Sequence, residues 1–211
     1  MQRLIVDPVS PDPAVIRRAA EVLRGGGLAI IPTDTLYGLA ANPFDPAAVV
    51  RVFTVKRRDA GQGLPLIAAD RAQVERVLGP LSADAARLAE RYWPGPLTLL
   101  VPRAAALDAD VTGGRAQVAV RVPDHRVARA VCEACGTLLT ATSANISGEP
   151  PSNDPDVVAR TAPAGIDVLL DAGPTPGGPP STIVDLAGVQ PVLVRPGAIP
   201  WQEVLACLAS R

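Results

Sequence analysis

The chain has 211 residues, is 48% hydrophobic and carries 20 Lys+Arg against 21 Asp+Glu, a formal net charge of -1, so it can fill a core of its own. That balance, with 3% aromatic residues, argues against a protein that coats nucleic acid over its whole surface or stacks single strands on aromatic platforms; a local basic cleft stays open. No apolar run approaches the ~18 residues of a spanning helix, the start MQRLIVDPVSPDP lacks a signal-peptide core and the three cysteines are scattered, so a cytoplasmic protein with no membrane contact is expected.

Asp12 and Pro13 have the form of an N-cap and first-turn proline; Val15, Ile16, Ala19, Val22 and Leu23 recur on one helical face until Gly25-Gly26-Gly27 ends it. The glycine run is not a phosphate loop, because no Gly-Lys-Ser/Thr follows it. Residues 28–32 read as a buried strand entering the polar turn Thr33-Asp34-Thr35, and Asp45-Pro46 opens a helix that ends on Lys56-Arg57-Arg58. Strands follow over 64–69 and 97–101, with helices opening at Asp70 and Ser82 between them and an irregular loop over 102–115 after them. Residues 117–122 alternate, Val118, Val120 and Val122 facing one way and Gln117, Ala119 and Arg121 the other. Asp124 is expected to cap a helix running to Cys135, and 138–141 to form a strand that delivers the chain into Thr142-Ser143-Ala144-Asn145. A short helix over 156–160, strands around 168–171, 182–186 and 192–195 and a helix from Pro200 complete the chain. The pattern predicts one α/β domain over 1–211, a twisted mixed sheet flanked by helices with a concave basic cleft, and no C-terminal extension domain.

Lys56 is the only lysine among the 20 Lys+Arg. An ammonium is compact and a guanidinium is a wide planar fork, so a place that admits only lysine reads as a tight anion site. Three clusters share one form, an apolar strand ending in hydroxyls, amides or arginine: Thr33-Asp34-Thr35, residues 142–148, and Ser181-Thr182 with Arg195. Ligands gather outside strand ends in α/β sheets, so these clusters point to one cleft that also takes in Lys56, Arg58 and Arg121. Rich in donors and poor in bases, it suits an anionic substrate, a nucleotide phosphate or a carboxylate, and catalysis by positioning and electrostatics. His125 has no Gly-x-Ser-x-Gly elbow to serve, and Cys132 with Cys135 reads as a pair of core thiols without a second ligand pair, so no metal site is expected. Asp34 reads as a turn aspartate bonding its own backbone, and 173–180 as either a lid or a plain surface loop.

In order along the chain stand Pro-Thr-Asp-Thr-Leu-Tyr-Gly-Leu, Lys56-x-Arg58 with Gly-Leu-x-Leu-Ile, Trp-Pro-Gly-Pro-Leu-Thr, Val-Ala-Val-Arg-Val-Pro-Asp-His, Thr-Ser-Ala-Asn-Ile-Ser-Gly, Ser-Thr-Ile-Val-Asp and Arg-Pro-Gly-Ala-Ile. Together they resemble the YrdC-like threonylcarbamoyl-AMP synthases, in their short bacterial form, over nearly the whole chain. The resemblance implies a nucleotidyltransferase that condenses L-threonine, bicarbonate and ATP, the last with Mg2+, into L-threonylcarbamoyl-AMP and pyrophosphate. The product would pass to a threonylcarbamoyl transferase complex that modifies an adenosine next to the anticodon of tRNA; direct tRNA contact is left open. It further implies that Thr35, Arg121, Ala141 and Ser181 hold threonine, with Arg121 pairing its carboxylate through two parallel hydrogen bonds. Lys56, Arg58, Gln62, Gln117, Ser143, Asn145, Pro151 and Arg195 would hold ATP, with Lys56 and Arg58 as the catalytic cations. The sequence departs from the family where many members carry Asn-Pro-Leu-Ile-Val-His, since Gln62-Gly63-Leu64-Pro65-Leu66-Ile67 puts Ile67 in place of the histidine. Two rival readings are a carbamoyltransferase domain that handles carbamoyl-adenylate, and an RNA-binding module in which Arg57, Arg58, Arg121 and Arg195 line a basic surface.

Overall fold

The computed structural model describes residues 1–209. In chain order the elements begin with β1 (Gln2–Ile5), α1 (Pro13–Arg24), β2 (Ala29–Ile31), β3 (Gly38–Ala40) and α2 (Pro46–Lys56). A 3-10 turn at Ala60–Gln62 leads to β4 (Leu66–Ile67), α3 (Arg71–Leu78), α4 (Ala83–Tyr92), β5 (Leu97–Pro102), α5 (Ala109–Thr112) and β6 (Gln117–Arg121). The chain closes with α6 (Arg126–Cys135), β7 (Leu139–Thr140), β8 (Thr142–Ser143), α7 (Pro155–Thr161), β9 (Val168–Asp171), β10 (Thr182–Asp185), β11 (Val192–Arg195) and α8 (Trp201–Ala209).

Short polar side chains fix the helix starts. Asp12, Asp45, Asp70 and Ser82 each accept a backbone N–H from the first turn of α1, α2, α3 and α4. Helix α2 stops at Lys56, because Arg57 turns into the left-handed region at φ 50 and leaves Arg58 outside the helix. Helix α6 is capped by the extended backbone of His125, not by Asp124, and the histidine side chain makes no cap bond. The expected irregular loop over 102–115 contains α5, closed by Gly113 in the left-handed conformation.

The strands form two mixed sheets where one was expected. A five-stranded sheet runs β1-β9-β2-β3-β8 and a six-stranded sheet runs β11-β10-β5-β6-β4-β7. The passage between them is short: Thr140 pairs with Leu66 in the six-stranded sheet, and Thr142 and Ser143 pair with Leu39 and Gly38 in the other. Thr140 also ties the sheets directly, its N–H donating to Ala41 O at 2.9 Å and its Oγ1 accepting from Ala41 N at 2.9 Å.

Alternation along the six-stranded sheet separates core from cleft. Leu97, Leu99 and Val101 of β5, Val118 and Val120 of β6, and Val184 of β10 are buried together in the main core. Thr98 and Leu100, Gln117, Ala119 and Arg121, and Ile183 and Asp185 face the other way and line an open cavity. A second core lies over the five-stranded sheet, where Ile16, Ala19 and Leu23 of α1 meet Val127, Ala128, Val131 and Cys132 of α6. No described helix is long and apolar enough to cross a membrane.

Thr140→Val keeps the volume of a fully buried side chain but removes the acceptor for the Ala41 N–H, which is expected to cost about 1–3 kcal/mol. The midpoint of urea unfolding should fall at unchanged slope; an unchanged midpoint would show that this bond does not tie the sheets.

Candidate active site

The concave face of the six-stranded sheet forms one wall of a cleft of about 730 Å³. The opposite wall is the turn Thr33 to Gly38 together with Ala141, Thr142 and Ser143, and one lip is made by Gln62, Gly63, Thr112 and Arg115. Of the residues expected at the site, Thr35, Arg58, Gln62, Gln117, Arg121, Ala141, Ser143, Ser181 and Arg195 line this cleft. Lys56, Asn145 and Pro151 are not among its lining residues.

The lysine is tightly enclosed, and its ammonium faces carbonyl oxygens. Lys56 is 1% exposed, and its Nζ donates to Ser143 O at 2.5 Å and Asn145 O at 2.6 Å, with Asn145 Oδ1 at 3.5 Å. Its own carbonyl accepts from Ser147 N at 2.9 Å, so the end of α2 and residues 143–147 hold each other. Burial, with a smaller push from the Arg58 guanidinium, lowers the Lys56 ammonium from 10.5 to about 8. Asn145 also turns inward, its Nδ2 donating to Ile146 O at 3.0 Å and Glu149 O at 2.5 Å. Pro151 is exposed. In this arrangement Lys56 and Asn145 both shape the segment that carries Ser143.

Three guanidiniums on the cleft wall are already held by protein acceptors. Arg121 reaches from the end of β6 to Asp34, with Nη1 at 2.8 Å from Oδ1 and 3.1 Å from Oδ2. Asp34 is therefore an ion-pair partner across the cleft rather than a self-bonded turn residue; both side chains are nearly buried, at 12% and 11% exposure. Arg195 donates to Ser181 O at 2.8 Å and Ser181 Oγ at 3.0 Å, while Ser181 Oγ lies 2.7 Å from Thr98 Oγ1. Arg58 bridges Gly63 O at 2.8 Å, Gln62 O at 3.2 Å and Thr142 Oγ1 at 3.3 Å. Burial pulls Arg58 and Arg195 down from the ordinary guanidinium value, and Arg121 adds to the effect on Arg195.

Hydroxyls complete the wall. Thr33 Oγ1 donates to Leu36 O at 2.7 Å, so its proton is taken and Thr35 is the donor in the 3.2 Å contact between the two hydroxyls. The loop over 173–180 is pinned at its first half: Thr175 Oγ1 and Gly177 N both donate to Thr35 O at 2.8 Å. Gln117 Nε2 donates to Asp185 Oδ1 at 2.9 Å, and that same oxygen accepts from Ala187 N. Thr98, Thr112, Arg115 and Asp185 line the cleft without having been singled out from sequence, whereas Thr33 belongs to a cluster that was. For Thr98 a signal exists, a polar residue between Leu97 and Leu99 on an alternating strand. Away from the cleft, Cys132 is fully buried and burial raises its thiol well above the usual range, as it does Cys135 to about 11, the state of inert core thiols.

A family model described as "Telomere recombination", covering the Sua5, YciO and YrdC proteins, matches residues 21–197. The chain belongs to this family. It is 41% identical over 189 residues to the threonylcarbamoyl-AMP synthase of Pyrococcus abyssi, spanning 90% of this chain and 56% of that protein. It is 37% identical over 205 residues to the Bacillus subtilis threonylcarbamoyl-AMP synthase, spanning 97% and 59%. The crystal structure of P. abyssi Sua5 complexed with L-threonine superposes with a TM-score of 0.93 at 37% identity, covering 99% of this chain and 61% of that one. The chain thus spans a little over half the length of these relatives, and its YrdC-like α/β fold is common to this chain and that structure.

Because the chain has one lysine, labelling lysine Cε with 13C gives one signal, and its titration midpoint is expected near pH 8; a midpoint at the ordinary 10.5 would show the ammonium to be hydrated. The folded value lies below the unfolded one, so the folded chain binds fewer protons between those limits and this group's contribution to stability rises with pH across them.

Proposed function

We propose that this chain condenses L-threonine, bicarbonate and ATP into L-threonylcarbamoyl-AMP, releasing pyrophosphate and water, in the cytoplasm and for the threonylcarbamoyladenosine modification of tRNA. The observation that supports this most is the shared cleft: Arg121 at the end of β6, the Thr98-Ser181-Arg195 cluster and Arg58 all open on one cavity walled by hydroxyls. Family membership and the activity of the threonylcarbamoyl-AMP synthases it is similar to point the same way.

In this reading the threonine carboxylate meets the free edge of the Arg121 guanidinium, with the Thr35 hydroxyl and the Ala141 backbone beside it. The threonine amine adds to the carbon of bicarbonate or dissolved carbon dioxide, losing a proton and, from bicarbonate, water, and gives a carbamate. A carbamate is short-lived in water, so enclosure between the sheet face and the 33–38 turn protects it. One carbamate oxygen then attacks the α-phosphorus of ATP, and the bond to the departing pyrophosphate breaks. Arg58 and Arg195, fixed before substrate arrives, stabilise charge on the α-phosphoryl group and the leaving group without reorganising. Mg2+ would arrive with the nucleotide phosphates. The acidic side chains nearest the cleft are committed elsewhere, Asp34 to Arg121 and Asp185 to Gln117 and the Ala187 N–H. Lys56 acts through the backbone, holding Ser143 where it can face the nucleotide.

Pyrophosphate release from MgATP is expected to require both L-threonine and bicarbonate, to fall with L-serine, and to yield an adenylate of the matching mass. Release without threonine would favour carbamoyl-adenylate chemistry; no release, with steeply salt-dependent RNA binding, would favour the RNA-binding module. Arg121→Lys should raise the threonine KM by about 10- to 100-fold by removing one of two charged hydrogen bonds, with the ATP KM little changed. Lys56→Arg keeps the charge but does not fit between the Ser143 and Asn145 carbonyls, and a displaced Ser143 should cost turnover on the order of 100-fold. Near-normal turnover in that variant would show that the site tolerates a guanidinium there.

A further inference from the structure

Every arginine on the cleft wall except one has a protein acceptor. Arg58 is held by Gly63 O and Gln62 O, Arg121 by Asp34, and Arg195 by Ser181. Arg115 lines the same cleft, is exposed, and among the described residues its guanidinium makes no hydrogen bond or ion pair. Its backbone is nevertheless fixed: Arg115 N donates to Thr112 O at 3.4 Å, and Ala116 O accepts from Arg103 N at 2.9 Å. Just before it, Gly113 and Gly114 both lie at positive φ, and a Cβ on Gly113 would come 2.5 Å from Gly61 O and 3.0 Å from Gly63 N. Such contact allows only glycine at 113 and presses the segment ahead of Arg115 onto residues 61–63, the stretch that Arg58 grips from the other side. Two cations therefore rise from one lip of the cleft, one bound to it and one free.

Position along β6 decides what the free cation faces. Gln117 and Arg121 lie on the same face four residues apart, about 13 Å at the rise of a strand, and Arg115 precedes Gln117 by two more residues. It stands at the end of the cleft away from the proposed carboxylate site at Arg121, next to the 61–63 lip that Arg58 also holds. We infer that Arg115 grips the terminal phosphates of the nucleotide, the part that leaves as pyrophosphate; this rests on the nucleotide-dependent synthesis proposed above. A guanidinium presents a flat fork that matches two phosphate oxygens, and one with no internal partner gives up no bond when it binds them. Among the described residues no carboxylate pairs with it, unlike Arg121, which is paired with Asp34. Arg115 is thus a substrate-positioning residue specific to the leaving group.

Equilibrium binding to the full chain, measured separately with MgATP, magnesium pyrophosphate and AMP, tests this. Arg115→Gln is expected to weaken MgATP and pyrophosphate by about 10-fold or more and to leave AMP within about twofold, with Arg115→Lys intermediate and an unchanged melting temperature in both. Unchanged ATP and pyrophosphate affinity in Arg115→Gln overturns the inference while leaving the proposed function standing, as does equal weakening of AMP, which would move the contact to the nucleoside. A wild-type chain that binds neither MgATP nor pyrophosphate overturns both.

Discussion

The arrangement of the cleft depends on one buried ammonium among carbonyl oxygens. The last turn of a helix exposes carbonyls without partners and attracts positive charge, and Lys56 at the end of α2 answers that while reaching two further carbonyls at Ser143 and Asn145. The Ser147 N–H completes the exchange by donating back to Lys56 O. An ammonium presents three donors on a slim stem and fits such a pocket, whereas a guanidinium would need a planar gap. What Lys56 fixes is the segment immediately after the chain crosses from one sheet to the other, so the cleft wall carrying Ala141, Thr142 and Ser143 is set relative to the wall formed by β5, β6 and β10.

The cleft is organised before any substrate enters it. Arg195 is lowered by burial and by the nearby Arg121, and Asp34 pairs with Arg121 alone, leaving net positive charge where the two guanidiniums approach each other. A substrate carboxylate would restore balance without displacing Asp34, because Asp34 takes only Nη1 of Arg121 and Nη2 makes a single long contact, to Thr33 Oγ1 at 3.4 Å. Hydroxyls whose protons are already directed add polarity without mobility: Thr33 to Leu36 O, Thr35 to Thr33, and Thr98 with Ser181 under Arg195. Preorganised donors of this kind do most where charge develops in the reaction, and they require no side chain to accept a proton.

The alternation of residues 117–122 was legible in the sequence and divides them as the structure does, because a strand buried on one face cannot slip by one residue without exposing its valines. Caps at Asp12, Asp45, Asp70 and Ser82 were legible for an equally local reason. The direction of the Lys56 side chain was not, since its acceptors lie 87 and 89 residues further on. Asp34 likewise has a sound local reading as a turn residue that a partner 87 residues away overrides. Strand β1 is mostly exposed and is held by its parallel register with β9, and β3 is three residues beginning with glycine, so neither has a pattern of its own. One sheet was expected where there are two because residues 138–141 read as one strand leading into 142–145, and nothing in their composition marks Ala141 as the point of crossing.

Ile67 shows how a departure from the family pattern alters the chemistry available. It pairs in register with Arg121 across β4 and β6, is 1% exposed, and lines the cleft beside that guanidinium. A histidine here would give the amino-acid end a group able to take up a proton near neutrality; isoleucine gives an apolar wall and lowers the local dielectric around the Arg121 pair. His125, the chain's only histidine, caps α6 outside the cleft lining, and burial depresses it despite the nearby charges of Asp34 and Asp124. With the imidazole outside the lining and Lys56 enclosed by carbonyls, the amine of a bound amino acid would lose its proton to solvent or to the incoming carbonate species. In the proposed reaction the protein's part would then be to hold the carboxylate, exclude water once the carbamate forms, and present fixed cations to the phosphates, a division in which Ile67 would strengthen the electrostatics at the expense of proton transfer.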